Sequence, residues 1–286
     1  MPIVFYSQKQ QVEEKQSSPS PGKPRLVLED WLARGLDIKI TSFKPLSPLD
    51  IALAHSKKYV AGILNGTIPN GFGTFSKEVA QSLLYTTGSM YAAAKHAVKT
   101  GETACSLTSG FHHAGFEHAA GYCTFSGLVI AARLLKKQGL VKRVGILDLD
   151  EHAGNSTVEI TKRLNIGYIK QWSLGYSDVT AETAEDFIAR IPNLIKEKFK
   201  DCDVLLFQAG ADCHVDDPLG GRFTTEQMRR MHKIVFETCK EMKLAAAWNL
   251  AGGYQNPIEK VLEIHRNTVI ESVRVYENSH NDKMQK

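Results

Sequence analysis

Apolar and polar positions along this chain group into blocks that read in turn as strand and helix. Ile3-Val-Phe-Tyr6 predicts a short strand, and the polar residues 8–23, with Ser-Ser-Pro-Ser-Pro-Gly, predict an exposed loop. A helix is expected over about 24–35, ending at Gly35, and a second strand over 38–43. From Asp50 onward Ile51, Leu53, Ala54, Tyr59, Ile63 and Leu64 supply the apolar faces of a helix. The glycine-rich run Asn65 to Thr74 is a loop, and Ser76 caps a long helix over 77–99 that Gly101 closes. Residues 105–123 follow neither period; irregular segments of that length in compact domains usually carry function. A helix over 125–138 ends at Gly139 and leads into the apolar run Arg143 to Leu149. The alternation then repeats. A helix over 181–199, bent or broken near Pro192, precedes Asp203-Val-Leu-Leu-Phe-Gln208, and a helix over 225–242 precedes Leu244 to Leu250. A last helix spans 257–272, with a polar tail from about 275. Buried strands alternating with helices predict a three-layer αβα domain around a mainly parallel sheet. No internal repeat or linker divides it, so one domain is expected over 1–286. Ligands in such sheets bind beyond the carboxyl ends of the strands.

Composition narrows the class only modestly. The 286 residues are 43% hydrophobic and 23% charged, with a formal charge of +4 whose signs are interspersed, so charge gives no case for nucleic-acid binding. Cys105, Cys123, Cys202, Cys213 and Cys239 are dispersed without a CxxC pair, which points to reduced thiols. The N-terminal apolar run is too short for a secretory signal, and no segment approaches the roughly 18–20 apolar residues of a membrane span. A cytoplasmic protein is expected.

The chemistry gathers at the strand exits. One exit carries Asp148, Asp150 and His152, two apart and therefore on one side of an extended strand. Another gives Gln208-Ala-Gly-Ala-Asp212, and a third Asn249-Leu-Ala-Gly-Gly-Tyr254. Buried carboxylates and an imidazole need compensation, and the set suits zinc or another divalent transition metal. Adjacent His112 and His113 on the irregular loop can both reach one small site and exchange protons near neutrality. Tyr254, after two glycines, can donate to a developing oxyanion. Taken singly, Asp212 is equally at home in a turn, the histidines at a surface and Tyr254 in a core.

Four motifs in order are specific together: Gly110-Phe-His-His-Ala-Gly115, Asp148-Leu-Asp-Glu-His-Ala-Gly-Asn155, Gln208-Ala-Gly-Ala-Asp212 with Asp217-Pro-Leu-Gly220, and Ala251-Gly-Gly-Tyr254. Over residues 22–270 the chain resembles the zinc-dependent histone deacetylases and acetylpolyamine amidohydrolases of the arginase–deacetylase superfamily. The resemblance implies zinc ligation by Asp150, His152 and Asp212. It implies His113 as general base with His112 as its proton-transfer neighbour, and Tyr254 as oxyanion donor. Asp148 falls at a position that supports the first histidine and, with Ser173 and Leu174, a structural potassium ion. Asn155 falls where the second histidine is oriented, and Gly121 and Tyr122 where the acyl-lysine tunnel is lined. The implied activity is hydrolysis of the amide of acetyl-lysine or a related N-acylated amine, on a peptide, protein, polyamine or small amine.

The chain also departs from that pattern. After Ser173-Leu174 it reads Gly-Tyr-Ser-Asp-Val-Thr180, without the aromatic residue that forms the opposite tunnel wall, and the loop 65–74 lacks the aspartate that fixes a histone backbone. Shortened active-site loops and an open mouth are therefore expected. Two other classes compete: a deacetylase-like module that binds acyl ligands without turnover, and a two-manganese ureohydrolase. An intact histidine pair and Tyr254 speak against the first, and Ala153-Gly-Asn155 in place of an Asp-rich run speaks against the second.

Overall fold

The computed structural model describes residues 1–12 and 18–283, with side chains as far as Tyr276. Among these residues, β1 (Ile3–Phe5), β2 (Lys39–Thr41), β3 (Ala104–Ser106), β4 (Val144–Asp148), β5 (Ile169–Ser173), β6 (Val204–Gln208) and β7 (Ala245–Asn249) form one sheet in the order β2-β1-β3-β7-β6-β4-β5. Every pairing is parallel, so the expected mainly parallel sheet is parallel throughout. The helices are α1 (Lys23–Ala33), α2 (Pro48–Ile51), α3 (Lys57–Asn65), α4 (Lys77–Thr100), α5 (Gly127–Lys137), α6 (Asn155–Arg163), α7 (Ala184–Phe199), α8 (Thr225–Glu241) and α9 (Glu259–Lys283). None is long and apolar enough to cross a membrane among the described residues.

The period-2 alternation of the central strands sorts their side chains between two cores. Leu205, Phe207, Ala246 and Trp248 face α1, α7, α8 and α9, while Val204, Leu206, Ala245 and Ala247 face α4 and α5. Phe236 of α8 packs edge-on against both Phe207 and Trp248, at centroid distances of 5.9 and 6.1 Å. Truncating either ring to alanine removes about 3–5 kcal/mol, the usual range for buried aromatics.

Local chemistry sets the helix ends. The Ser76 hydroxyl accepts from the Val79 N–H at the start of α4, and Gly101 closes it in the left-handed region at φ 74°. The helix expected from Asp50 onward divides into α2 and α3, because Ser47 and Asp50 form a capping box and Ser56 caps anew at Tyr59. The sequence reading passed over β3, α6 and β5. α7 runs through Pro192, and α9 runs on to Lys283, past the end expected near 272 and into the stretch expected as a polar tail. The stretch 8–23 is not simply exposed. Gln8–Gln10 form a 3-10 turn, Gln10, Ser18 and Ser20 are buried, and the Gln10 amide donates to the Leu107 carbonyl. Residues 13–17 of that stretch lie outside the described residues.

A candidate metal centre with a histidine pair

The parallel register aligns five polar side chains across the carboxyl ends of the strands. Ser173 pairs with Asp148, Asp148 with Gln208, Gln208 with Asn249, and Asn249 with Ser106. All five are buried. A buried polar group needs partners, and this row finds them in the irregular loop above it. The Gln208 amide donates to Asp148 Oδ1 at 3.0 Å and accepts from the Phe111 N–H at 3.2 Å. The Asn249 amide donates to the Ser109 carbonyl at 3.1 Å. The sheet edge thus fixes the backbone on either side of the histidine pair. The sequence reading quoted Gln208 and Asn249 within motifs but gave them no role.

One step beyond the row, Asp150, His152 and Asp212 each offer a ligand atom within 4.8 Å of the others. His152 Nδ1 lies 3.3 Å from Asp150 Oδ1 and 3.3 Å from Asp212 Oδ2. Both carboxylates are buried, and Asp212 Oδ2 has no well-formed hydrogen bond. Burial and then the nearby Asp150 push the Asp212 carboxyl up. Asp150, which burial alone would raise, is held well below the usual carboxylate range by His112 and by hydrogen bonds from His152. The flanking Asp150 and Asp212 carboxylates raise His152 to about 10. Two converging carboxylates with an unpartnered oxygen call for positive charge, and the O/N donor set fits a divalent cation. Gly252 makes room for it: a Cβ there would lie 2.1 Å from Asp212 Oδ2, and the Gly252 N–H instead donates to Asp150 Oδ2 at 2.9 Å.

Asp148 stands one step behind this cluster, its Oδ1 accepting from the Asp150 N–H at 3.3 Å. Its Oδ2 accepts from His112 Nδ1 at 2.8 Å, while His113 Nδ1 donates to Asn155 Oδ1 at 3.0 Å. The two rings are 4.1 Å apart, yet their environments diverge. Burial pulls His112 down, but Asp148 and Asp150 outweigh it and bring it to about 9. His113 is lowered by burial and by His112, with only a neutral amide as hydrogen-bond partner. Their surroundings push the two imidazoles in opposite directions, which is how adjacent groups divide acid and base work. His55 holds this loop: its Nδ1 donates to the Gly115 carbonyl at 2.8 Å and its Nε2 accepts from the Ser126 N–H at 2.9 Å.

His112, His113, Asp150, His152, Asp212 and Tyr254 line a cavity of about 130 Å³, with Gly121 and Tyr122 at its wall. Gly121, at φ 50°, has no room for a side chain, since a Cβ would lie 2.4 Å from the His113 ring. Tyr122 is also left-handed, at φ 61°, and its ring stacks on Phe72 at 6.0 Å and approaches Tyr254 at 6.0 Å. The phenol of Tyr254 is raised by burial and by Asp212, with the Ser20 hydroxyl as hydrogen-bond partner. On the side where an aromatic wall is lacking, Leu174–Tyr176 form a 3-10 turn and Tyr176 is 59% exposed; Leu219 lines the cavity instead. Ser173 and Leu174 hold neighbouring segments: Ser173 Oγ accepts from the Gly154 N–H, and the Leu174 carbonyl accepts from Arg222, which is paired with Glu151. The sequence reading singled out neither Arg222 nor Glu151.

A histone deacetylase domain model matches residues 20–170, more than half of the chain. An uncharacterized protein of Picosynechococcus is 27% identical over 75% of this chain and 78% of its own length. The chloroplastic histone deacetylase 10 of Oryza sativa is 27% identical over 76% of this chain, an alignment that spans 59% of the rice protein. The crystal structure of an acetylpolyamine aminohydrolase from Burkholderia pseudomallei superposes with a TM-score of 0.77 at 17% identity, covering 96% of this chain and 99% of that one. That likeness concerns the fold, and it agrees with the parallel sheet and its exits. By the domain match, the chain belongs to the histone deacetylase family.

Proposed function

We propose that this protein is a zinc-dependent deacylase that hydrolyses the amide of acetyl-lysine, or of a related N-acylated amine, in the cytoplasm. The observation that carries the reading is convergence: the Asp150–His152–Asp212 cluster, two histidines hydrogen-bonded to different partners, a carboxylate and an amide, and Tyr254 share one cavity. Family membership and the homology to a deacetylase support it. When bound, zinc would supply electrophilic activation of water and of the amide carbonyl. His113, neutral and oriented by Asn155, takes a proton from the attacking water. Tyr254 donates a hydrogen bond to the oxygen that gains charge as the carbonyl carbon becomes tetrahedral. His112, cationic against Asp148, adds positive charge beneath that oxygen, and protonated His113 gives its proton to the departing amine. The same reading includes a structural potassium ion at Asp148, Ser173 and Leu174, the first two being register partners. Its substrates are acylated lysine in a peptide or protein, or acylated polyamines and small amines.

The test is a panel of acetyl-lysine peptides and acetylated polyamines, assayed with zinc-loaded protein, after chelation and after zinc is restored. Turnover that chelation abolishes and zinc recovers is expected. Absent turnover across the panel in protein that binds one zinc per chain would replace the enzyme with an acyl-binding module.

A further inference from the structure

Lys23 is the one fully buried lysine among the described residues, and the mechanism above gives it no task. Its setting is unfavourable on local grounds. It is the first residue of α1, where the helix dipole opposes a cation, and burial opposes the charge as well. The compensation comes from far away in sequence. Lys23 Nζ donates to the Ala251 carbonyl at 2.5 Å, and Asp212, Asp150 and Asp217 surround it electrostatically, so that burial lowers it only to about 8. Ala251 occupies the left-handed region at φ 52°, which residues with a side chain rarely adopt unless neighbours hold them there. It begins the turn that ends in Tyr254. At the far end of that turn the Tyr254 N–H donates to Asp217 Oδ2 at 2.7 Å, and between them the Gly252 carbonyl accepts from the Ala211 N–H. The turn is thus stretched between a buried cation and a buried carboxylate. The segment that carries Lys23 also brings Ser20 to the phenol.

We infer that Lys23 is a positioning residue for Tyr254: its grip on the Ala251 carbonyl holds the left-handed turn that aims the phenol into the cavity. Asp217 anchors the other end. The inference rests on the proposed deacylase reading for its kinetic test but not for its structural one.

The decisive experiment is a double-mutant cycle on zinc-loaded full-length protein, with Lys23→Met keeping shape and removing the donor. Misplacement by about 1 Å at a reacting centre lowers turnover roughly 100-fold. Lys23→Met should therefore reduce kcat by about that factor with KM within about 3-fold, since the loss falls on the transition state. In a Tyr254→Phe background, which has no hydroxyl to misplace, the same change should reduce kcat by no more than about 3-fold. A 100-fold loss in both backgrounds, or loss of zinc in Lys23→Met, would overturn the inference in favour of a general structural role. A crystal structure of Lys23→Met should show the Ala251–Tyr254 turn shifted by about 1 Å, the displacement assumed above. An unmoved turn overturns the inference whether or not the wild-type protein hydrolyses any acyl amine. Should Lys23→Met fail to fold, Asp217→Ala loosens the other end of the turn and must show the same dependence on Tyr254.

Discussion

At the floor of the cavity, Ser106, Asp148, Gln208 and Asn249 stand in register on adjacent strands and are wholly buried. At its mouth, Tyr122 and Leu219 stand on loops and are 36% and 47% exposed. The floor is held by main-chain ladders, by the Gln208–Asp148 hydrogen bond and by bonds from Asn249 and Ser106 to neighbouring segments, so moving a member disturbs buried partners. The mouth is held by a left-handed Gly121-Tyr122 turn and by one stacked ring, so its members can change with little consequence for the sheet. Such a division places the chemistry on the rigid part and leaves the choice of acyl carrier to the adjustable part.

The harshest way to probe the comparison is to remove a carboxylate from the cluster that stands on the floor. Asp150→Asn keeps the shape but takes a charge from the cluster and weakens the acceptor for Gly252 and His152. Zinc content by mass spectrometry should fall from about one per chain toward zero, and turnover with it, because three protein ligands are the minimum of a catalytic site. Near-stoichiometric zinc in this variant would remove Asp150 from the ligand set. A smaller effect should come from Asp148→Asn, one step behind. Its side chain touches His112 and Gln208, and meets the cluster only through the Asp150 backbone N–H. Partners of this kind are typically worth 10- to 100-fold, and here the loss should appear in kcat, with zinc retained. If zinc affinity drops as far as in Asp150→Asn, the two carboxylates do not have separate tasks.

Three of the four floor strands were legible in the sequence for a physical reason: a buried parallel strand is an uninterrupted apolar run, and Asp148, Gln208 and Asn249 mark where the run meets the ligand edge. β3 was illegible because Ala104-Cys-Ser106 has no β-branched or aromatic residue and acquires its strand form from β1 and β7 on either side. β5 sits at the sheet edge, half-buried, so Ile169-Lys-Gln-Trp-Ser173 lacks the apolar run that marked its neighbours. Asp150, His152 and Asp212, the histidine pair, Asn155 and Tyr122 lie together because motif order and strand exits converge on one edge. Lys23 escaped notice, and Asp217 stood in a motif without a role, because their meaning depends on Ala251 and Tyr254 and nothing in the local pattern of 20–24 or 216–219 announces a partner across the sheet. Phe72 escaped because loop 65–74 was read for the aspartate it lacks rather than for the ring it places on Tyr122.

Between floor and mouth, His55 clamps both ends of the segment that joins them, and it can do so only as a neutral ring. Burial lowers it to about 4, with its backbone hydrogen bonds opposing. The folded value lies below the unfolded value near 6.5, so between these two pH values the unfolded chain binds the extra proton. Stability contributed by the neutral ring is therefore present above about 6.5 and is lost as pH falls toward 4, at about 1.4 kcal/mol per pH unit in the middle of that window. Urea melts of metal-free protein at pH 7 and pH 5 should show this slope reduced by about that amount per unit in His55→Gln. Equal slopes in the two proteins would mean that the clamp does not depend on a neutral imidazole.

The gentlest probe is at the mouth. Tyr122→Leu removes the ring that stacks on Phe72 and faces Tyr254 but leaves the floor contacts alone. An aromatic pair is worth about 0.5–1.5 kcal/mol beyond its buried area, equivalent to roughly 2- to 10-fold in binding. The expected outcome is a rise of that size in KM for an acetyl-lysine peptide, with kcat within about 2-fold, because an aromatic wall holds ground state and transition state alike. The left-handed backbone at 122 is no better suited to leucine than to tyrosine, so conformational strain is shared by both proteins and cancels in the comparison. A large fall in kcat would show that Tyr122 acts on Tyr254 across their 6.0 Å separation and that the mouth is part of the catalytic floor after all.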